Sequence, residues 1–355
     1  MTNQQLKRFA QDVESRIDAA QEQRLEQQWL DFCDLQCAAP FFSPGRTPRP
    51  SSLEWPQVVI NQGFDDMNYM LYLQLKSVSD TLASQEGILL SVRANDGTGI
   101  IPSMFGAEIF RLEDRLNTLP GTRPPEHGID RLQAVADQPL DYSKGLAPLV
   151  FEFGRRWKEL TQEYPLITRY VHLYNPDLQG PFALADMLGG SDIYYMFYDE
   201  PELLHQVLDR MTEVYLDFTA KWQALFPCFD DGHSVEWGLL HKGKTLLRND
   251  AAMNISQDLY REFVMPYDQR IFQAIGGGMH FCGRGDHYIQ AACEIEGLSC
   301  INLSQPEYND MEKIYAATID QGKIIIGING TEVIRAQNAG RSLGGRVHSS
   351  FVPET

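Results

Sequence analysis

The run Gly276-Gly277-Gly278-Met279-His280-Phe281-Cys282-Gly283 carries the most chemistry in the shortest space. In an extended strand side chains alternate, so His280 and Cys282 project to one side, about 6 to 7 Å apart along the strand, while Met279 and Phe281 point the other way. An imidazole and a thiol facing one cavity make good zinc ligands. Zinc accepts mixed nitrogen and sulfur donors and, when catalytic, leaves one position open for water or substrate. The same pair also fits a buried histidine bonded to a carbonyl beside an inert core cysteine. Further donors must come from other strand ends, and the candidates are His348, Glu307, Asp250 and Cys300. Cys300 alternates with Ile301 in an apolar run and reads as core. His348 follows Gly344-Gly345, where a last strand should return to the same mouth, and is the preferred third ligand.

Other polar residues fall just beyond short apolar runs. Asp250 and Glu236 are the candidate catalytic carboxylates. Glu236 sits beside Trp237, where an acid, a base, a substrate clamp or a solvated strand edge are all open readings. Asp177, Gln179, Asn302 and Glu307 are the candidate substrate contacts. Gly180-Pro181 allows a tight turn into a helix whose first N-H groups face the cavity. Asp230-Asp231-Gly232-His233 has the composition of a turn. Cys33 and Cys37 share a helix face with no further donor near and read as core or surface thiols.

The elements that must position these groups are read from periodicity. Residues from Gln4 to about Cys37 carry Phe9, Val13, Ile17 and Ala20 at helical spacing; a Pro-rich break and a second helix over Asp65 to Ala83 follow. From about Gly87 short apolar runs alternate with helical stretches, which is βα repetition. The expected strands are Ile88-Arg93, Thr168-Tyr174, Ser234-Gly238, Thr245-Arg248, Gly278-Cys282, Ser299-Leu303 and Lys323-Ile328, with a weak run near Arg346-Phe351. Helices are expected over Ile193-Ala220, broken at Asp199 and Pro201; over Gln257-Ala274, kinked by Pro266; and over Tyr308-Gln321. No dinucleotide or P-loop glycine pattern follows the early strands, and polar residues gather at strand ends, so a (β/α)8 TIM barrel is favoured over an open sheet. The expected organisation is a helical extension over 1–86 and a barrel domain over 87–355.

Composition narrows the function. The 355 residues include 48 acidic and 30 basic side chains, a net charge of -18, which argues against a nucleic-acid partner. No run approaches the roughly 20 apolar residues of a membrane span, and the start lacks a signal-peptide pattern, so a cytoplasmic protein with reduced thiols is expected.

Gln179-Gly180-Pro181-Phe182-Ala183-Leu184-Ala185, Leu188-Gly189-Gly190 and Tyr198-Asp199-Glu200-Pro201-Glu202-Leu203 form a set with two later segments. These are Asn249 to Ser256 with Phe263-Val264-Met265-Pro266-Tyr267, and His280-Phe281-Cys282-Gly283. As a set they resemble the uroporphyrinogen decarboxylase superfamily, which includes the methylcobamide:thiol methyltransferases, over roughly residues 88 to 350. The resemblance implies a (β/α)8 barrel. The Met-Arg-Gln-Ala-Gly-Arg pattern that binds porphyrinogen carboxylates is absent, which disfavours porphyrinogen decarboxylation. In the methyltransferase branch a His-x-Cys pair binds zinc together with a later cysteine; here no cysteine follows Cys300, and His348 is offered in its place.

The implied activity is zinc-dependent transfer of a methyl group between a corrinoid, carried on a partner protein or substrate, and a small-molecule thiol or related acceptor. Asp250, Glu236 and Glu307 would orient ligands or touch substrate. Two rivals stand beside it: a metal-free decarboxylase of a non-porphyrin carboxylate using Asp250, and a barrel that binds a small ligand or a corrinoid partner without turnover.

Overall fold

The structure, a computed structural model, describes residues 1–126 and 128–350. It is a mixed α/β fold. Its strands are β1 (Ser91–Val92), β2 (Glu108–Phe110), β3 (Gly121–Arg123), β4 (His172–Leu173), β5 (His233–Glu236), β6 (Leu239–Lys242), β7 (Thr245–Arg248), β8 (Gly277–Phe281), β9 (Leu298–Leu303) and β10 (Ile324–Ile325). The strands β10-β9-β8-β7 form a parallel four-stranded sheet in that order. β1 pairs in parallel with β4, β2 with β3 antiparallel, and β5 with β6 antiparallel. Isolated bridges extend the parallel pairing: Gln179 to Arg248, Ile325 to Val347, and Phe42 to His348.

Period-two alternation divides the core. Leu247, Met279, Ile301 and Ile325 turn to one face of the sheet and join the large core built with the helices. Leu246, Cys300, Ile324 and Ile326 turn to the other and pack with Leu239 and Leu240 of the β5–β6 hairpin and with Leu25, Trp29 and Phe32 of the helix Ala19–Cys33. The register pairs Leu246 with Gly278 and Gly278 with Cys300. A Cβ on Gly278 would lie 2.2 Å from the Cys300 sulfur and 2.7 Å from Leu246 Cδ1. Gly278→Ala is therefore expected to destabilise the chain by about 1–3 kcal/mol, and Gly278→Ala with Cys300→Ala to recover part of it. Equal urea midpoints for Gly278→Ala and the parent would contradict this packing.

Several expectations change in detail. The first helical stretch is two helices, Asn3–Arg16 and Ala19–Cys33, because Asp18 caps the second by accepting from the N-H groups of Ala20 and Gln21. Ser234-Gly238 is not a parallel strand: it is one arm of a hairpin whose two-residue turn, Trp237 at φ +52 and Gly238 at φ +77, returns the chain at once into β6. The break at Asp199 and Pro201 is present, between Ile193–Asp199 and Pro201–Leu225. The kink near Pro266 is a π turn over Tyr260–Val264 leading into Met265–Ile275, since proline offers no N-H to the preceding turn. The weak terminal run contributes single bridges at Val347 and His348, and Phe351 lies outside the described residues.

The leading segment is built into the same cores. Leu6, Phe9 and Val13 share the large core with Leu71 and Leu75. Trp29 Nε1 donates to the Gly87 carbonyl at 2.9 Å, and Arg46 and Glu22 form a fully buried ion pair. Among the described residues no helix is long and apolar enough to cross a membrane.

Candidate metal centre

The parallel register sets Arg248 beside His280 and His280 beside Asn302, while Gln179 bridges to Arg248 from the neighbouring segment. This row lies two residues further along the strands than Leu246, Gly278 and Cys300, so it continues the same face with polar side chains. Two residues beyond it, past the strand ends, come Asp250, Cys282 and Ser304.

Asp250, His280 and Cys282 converge, each offering one donor atom, with these atoms within 4.8 Å of one another. His280 Nε2 is 3.5 Å from Cys282 Sγ and 3.6 Å from Asp250 Oδ1. Tetrahedral zinc with its usual bond lengths separates such nitrogen–sulfur and nitrogen–oxygen pairs by about 3.3–3.6 Å. The residues therefore fit a zinc-type ion with three protein donors and one open position.

The imidazole is fixed in the tautomer this requires. Asn302 Nδ2 donates to the Ile326 carbonyl at 2.6 Å, which leaves Asn302 Oδ1 to accept from His280 Nδ1 at 2.5 Å. Nε2 is then the free lone pair, turned toward Cys282 and Asp250. Burial pushes the His280 pKa below its ordinary value, against the opposing pull of Asp250, so the ring is neutral at pH 7. Burial, with the Asp250 charge adding to it, pushes the Cys282 thiol up. Asp250 is oriented on both oxygens: Oδ1 accepts from the Cys282 N-H at 2.9 Å and Oδ2 from Gln179 Nε2 at 2.9 Å. Gly180, next to Gln179, makes a close approach, since a Cβ there would lie 2.7 Å from Asn249 Oδ1.

Beneath the cluster runs a buried chain of charge. Arg248 Nη2 is 2.8 Å from Glu236 Oε2 and its Nε 2.5 Å from Asp177 Oδ1, while Arg93 Nη1 holds Asp177 Oδ2 at 2.7 Å. Burial alone would raise the Asp177 pKa, but Arg248 and Arg93 outweigh it and hold it below the usual carboxylate range. Glu236 is fully buried; its Oε1 accepts from Leu246 N-H at 3.0 Å and from Asn175 Nδ2 at 3.2 Å. The Trp237 ring covers Arg248, with Cζ 4.6 Å from its centroid, and stands edge-on to His280 at 5.0 Å.

The sequence-predicted residues thus separate into groups. His280, Cys282 and Asp250 come together; Gln179 and Asn302 bond to them; Asp177 and Glu236 reach them through Arg248. Glu307 is exposed on the turn Pro306–Tyr308 and makes none of these contacts. His348 is fully buried, its ring tilted against Trp29 at 4.4 Å and 5.7 Å from Phe42, and its Nδ1 accepts from the Gly327 N-H at 3.1 Å. It is not among the gathered donors; Asp250 joins His280 and Cys282 instead, because β7 lies directly beside β8 whereas the His348 segment bridges to Phe42 and follows Ile325. Arg248 and Arg93 were not singled out from sequence, although an arginine closing the apolar run Thr245-Leu246-Leu247 was a visible signal.

Burial pushes His348 down to about 3 from an ordinary value near 6.5. A neutral buried histidine contributes stability that is fully present above about pH 6.5 and is lost as pH falls toward 3, at up to about 1.4 kcal/mol per pH unit. His348→Leu is expected to cost about 1 kcal/mol at pH 7 for the lost Gly327 bond. By pH 4 it should be the more stable form, since the parent will have lost roughly 3 kcal/mol. Parallel pH–stability curves would show that the imidazole is not held neutral.

No known protein-family model matches this chain, and no curated protein matches it.

Proposed function

We propose that this chain is a metal-dependent group-transfer enzyme on a closed (β/α)8 barrel, akin to the uroporphyrinogen decarboxylase superfamily, moving a methyl group between a corrinoid and a small thiol. The observation that carries the reading is the Asp250–His280–Cys282 cluster at the carboxyl ends of adjacent parallel strands, where barrel enzymes place their chemistry. Barrel closure is supported by the path of pairing. Pairing joins β1 to β4, the Gln179 segment to β7, β7 through β10 to Val347, His348 to Phe42, and Gly45 to Glu86 antiparallel, while short stretches of chain make the links from β4 to Gln179, Phe42 to Gly45 and Glu86 to β1. The β5–β6 hairpin packs along the sheet face that carries Leu246, Cys300 and His280, and Leu89 N-H donates to the Gly238 carbonyl at 2.8 Å.

Zinc, when bound, would supply the Lewis acidity that lowers the pKa of a thiol at the open position. The chain's own residues do the rest. Asn302 keeps the His280 proton on Nδ1, Gln179 and the Cys282 N-H aim the Asp250 carboxylate, and the Trp237 ring shields one side of the imidazole from water. Arg248 and Arg93, balanced by Asp177 and Glu236, set a rigid polar floor without adding net charge.

Incubating the zinc-loaded chain with methylcobalamin and a panel of small thiols is expected to convert the methylcobalamin spectrum to that of the demethylated corrinoid. The conversion should be at least tenfold faster than without protein and lost in His280→Ala. A protein that takes up no stoichiometric metal, or an unchanged spectrum with every thiol, would remove this reading.

A further inference from the structure

One aromatic ring away from His280 lies a cavity of about 370 Å³ that the cluster's donors do not line. Its walls include Leu73, Leu89, Tyr174 and Trp237, and Arg93 and Asn95 stand among its polar residues with Gln74, Ser77, Thr81 and Ser91. The volume is in the range of small-ligand pockets, roughly 300–1,000 Å³. Of its twelve lining residues one is cationic and none is acidic. That is unexpected in a chain where acidic side chains outnumber basic ones 48 to 30. A larger groove of about 950 Å³ beside Cys293 holds Asp286, Glu294, Lys313 and Lys323 together and shows no such selectivity of sign.

Arg93 is anchored and has hydrogen-bonding capacity left. Its Nε donates to Asn95 Oδ1 at 3.0 Å and its Nη1 to Asp177 Oδ2 at 2.7 Å, while Nη2 has no partner among the described residues. Asp177 is divided between Arg93 and Arg248, so it compensates each guanidinium only in part. A planar guanidinium with one edge fixed and a nitrogen unpaired suits a carboxylate. Trp237 supplies the second observation. It holds φ +52, a left-handed backbone that bulky residues rarely adopt, at a hairpin turn where glycine or asparagine would sit without strain. That backbone places its indole against both Arg248 and the His280 ring while also forming a wall of the cavity.

We infer that this cavity binds a small planar monocarboxylate, its carboxylate on Arg93 and its unsaturated body against Trp237 and Tyr174. Calling that ligand the substrate rests on the function proposed above; the binding itself does not.

Titration calorimetry with benzoate and benzamide as probes tests the charge and the shape together. Benzoate is expected to bind at least tenfold more tightly than benzamide. Asn95→Asp, which sets a carboxylate on Arg93 Nε with little change of shape, should abolish that preference, as should Arg93→Gln, with circular dichroism confirming that both variants are folded. The cluster variant Cys282→Ser, which leaves the His280 ring in place beside Trp237, should keep its benzoate affinity within twofold. Equal affinity for the two probes, no binding of either, a preference that survives in Asn95→Asp, or loss of benzoate binding in the cluster variant would each overturn the assignment. Benzoate preference without methyl transfer discards only the proposed function, and methyl transfer without benzoate preference discards only this site.

Discussion

Cys282→Ser is expected to reduce the zinc bound per chain from about one equivalent to under a tenth, and His280→Ala to do the same. Each change leaves two donors at a site that needs three, and structural and catalytic zinc sites alike hold the ion by three or four protein ligands. Asp250→Asn keeps a neutral oxygen in place and loses the charge, so its effect should be intermediate, a weakening on the order of 10–100-fold. Asn302→Leu should weaken binding by a similar factor, since it frees the imidazole to rotate and to place its proton on Nε2. His348→Ala is the control: its ring is enclosed by Trp29 and Phe42, so metal content should not change although stability falls. Mass-spectrometric metal analysis after purification without chelator, backed by competition against a chromogenic chelator, reads all five variants. Loss of metal in His348→Ala with retention in Asp250→Asn would reverse the ligand assignment.

Arg248→Met should be the most destabilising single substitution in the site, at about 3–5 kcal/mol. Arg248 and Glu236 are both fully enclosed, and removing the guanidinium strands the Glu236 carboxylate with only neutral donors. Asp177 is spared because Arg93 remains on it. Burial by itself would lower the Arg248 pKa, yet Asp177 and Glu236 outweigh it and raise it, so the guanidinium stays charged. The pairing of Arg248→Met with Glu236→Gln should recover at least half of the loss, because a neutral amide keeps the bond from Leu246 N-H without a buried charge. Urea unfolding measures both. A single-variant loss below 1 kcal/mol would mean that water reaches this layer.

How much of this was legible beforehand differs by residue. His280 and Cys282 could be placed on one face from spacing alone, because the two-residue period of a strand is a local geometric fact and Met279 and Phe281 were apolar enough to mark the other face. Asp250 was visible as a polar residue past a strand and appeared among the possible donors, yet His348 was preferred over it. The choice depends on which strands are neighbours, and spacing carries no information about that. Trp237 and Glu236 were noticed inside an expected strand. That the strand turns back on itself at Trp237-Gly238 depends on two consecutive left-handed residues, and a tryptophan is a poor advertisement for one.

By itself the sequence determined the period of most elements, the alternation of strands with helices, and the breaks at Pro201 and Pro266, because those follow from interactions within a few residues. It also determined that an imidazole and a thiol would share a side. Only the tertiary structure decided that Asp250 joins them, that Asn302 fixes the ring's proton, and that Glu236 and Asp177 serve Arg248 rather than solvent. Those outcomes come from the register Arg248–His280–Asn302 across three strands distant in the chain. Register is set by the burial of every alternate side chain at once, which no single segment contains.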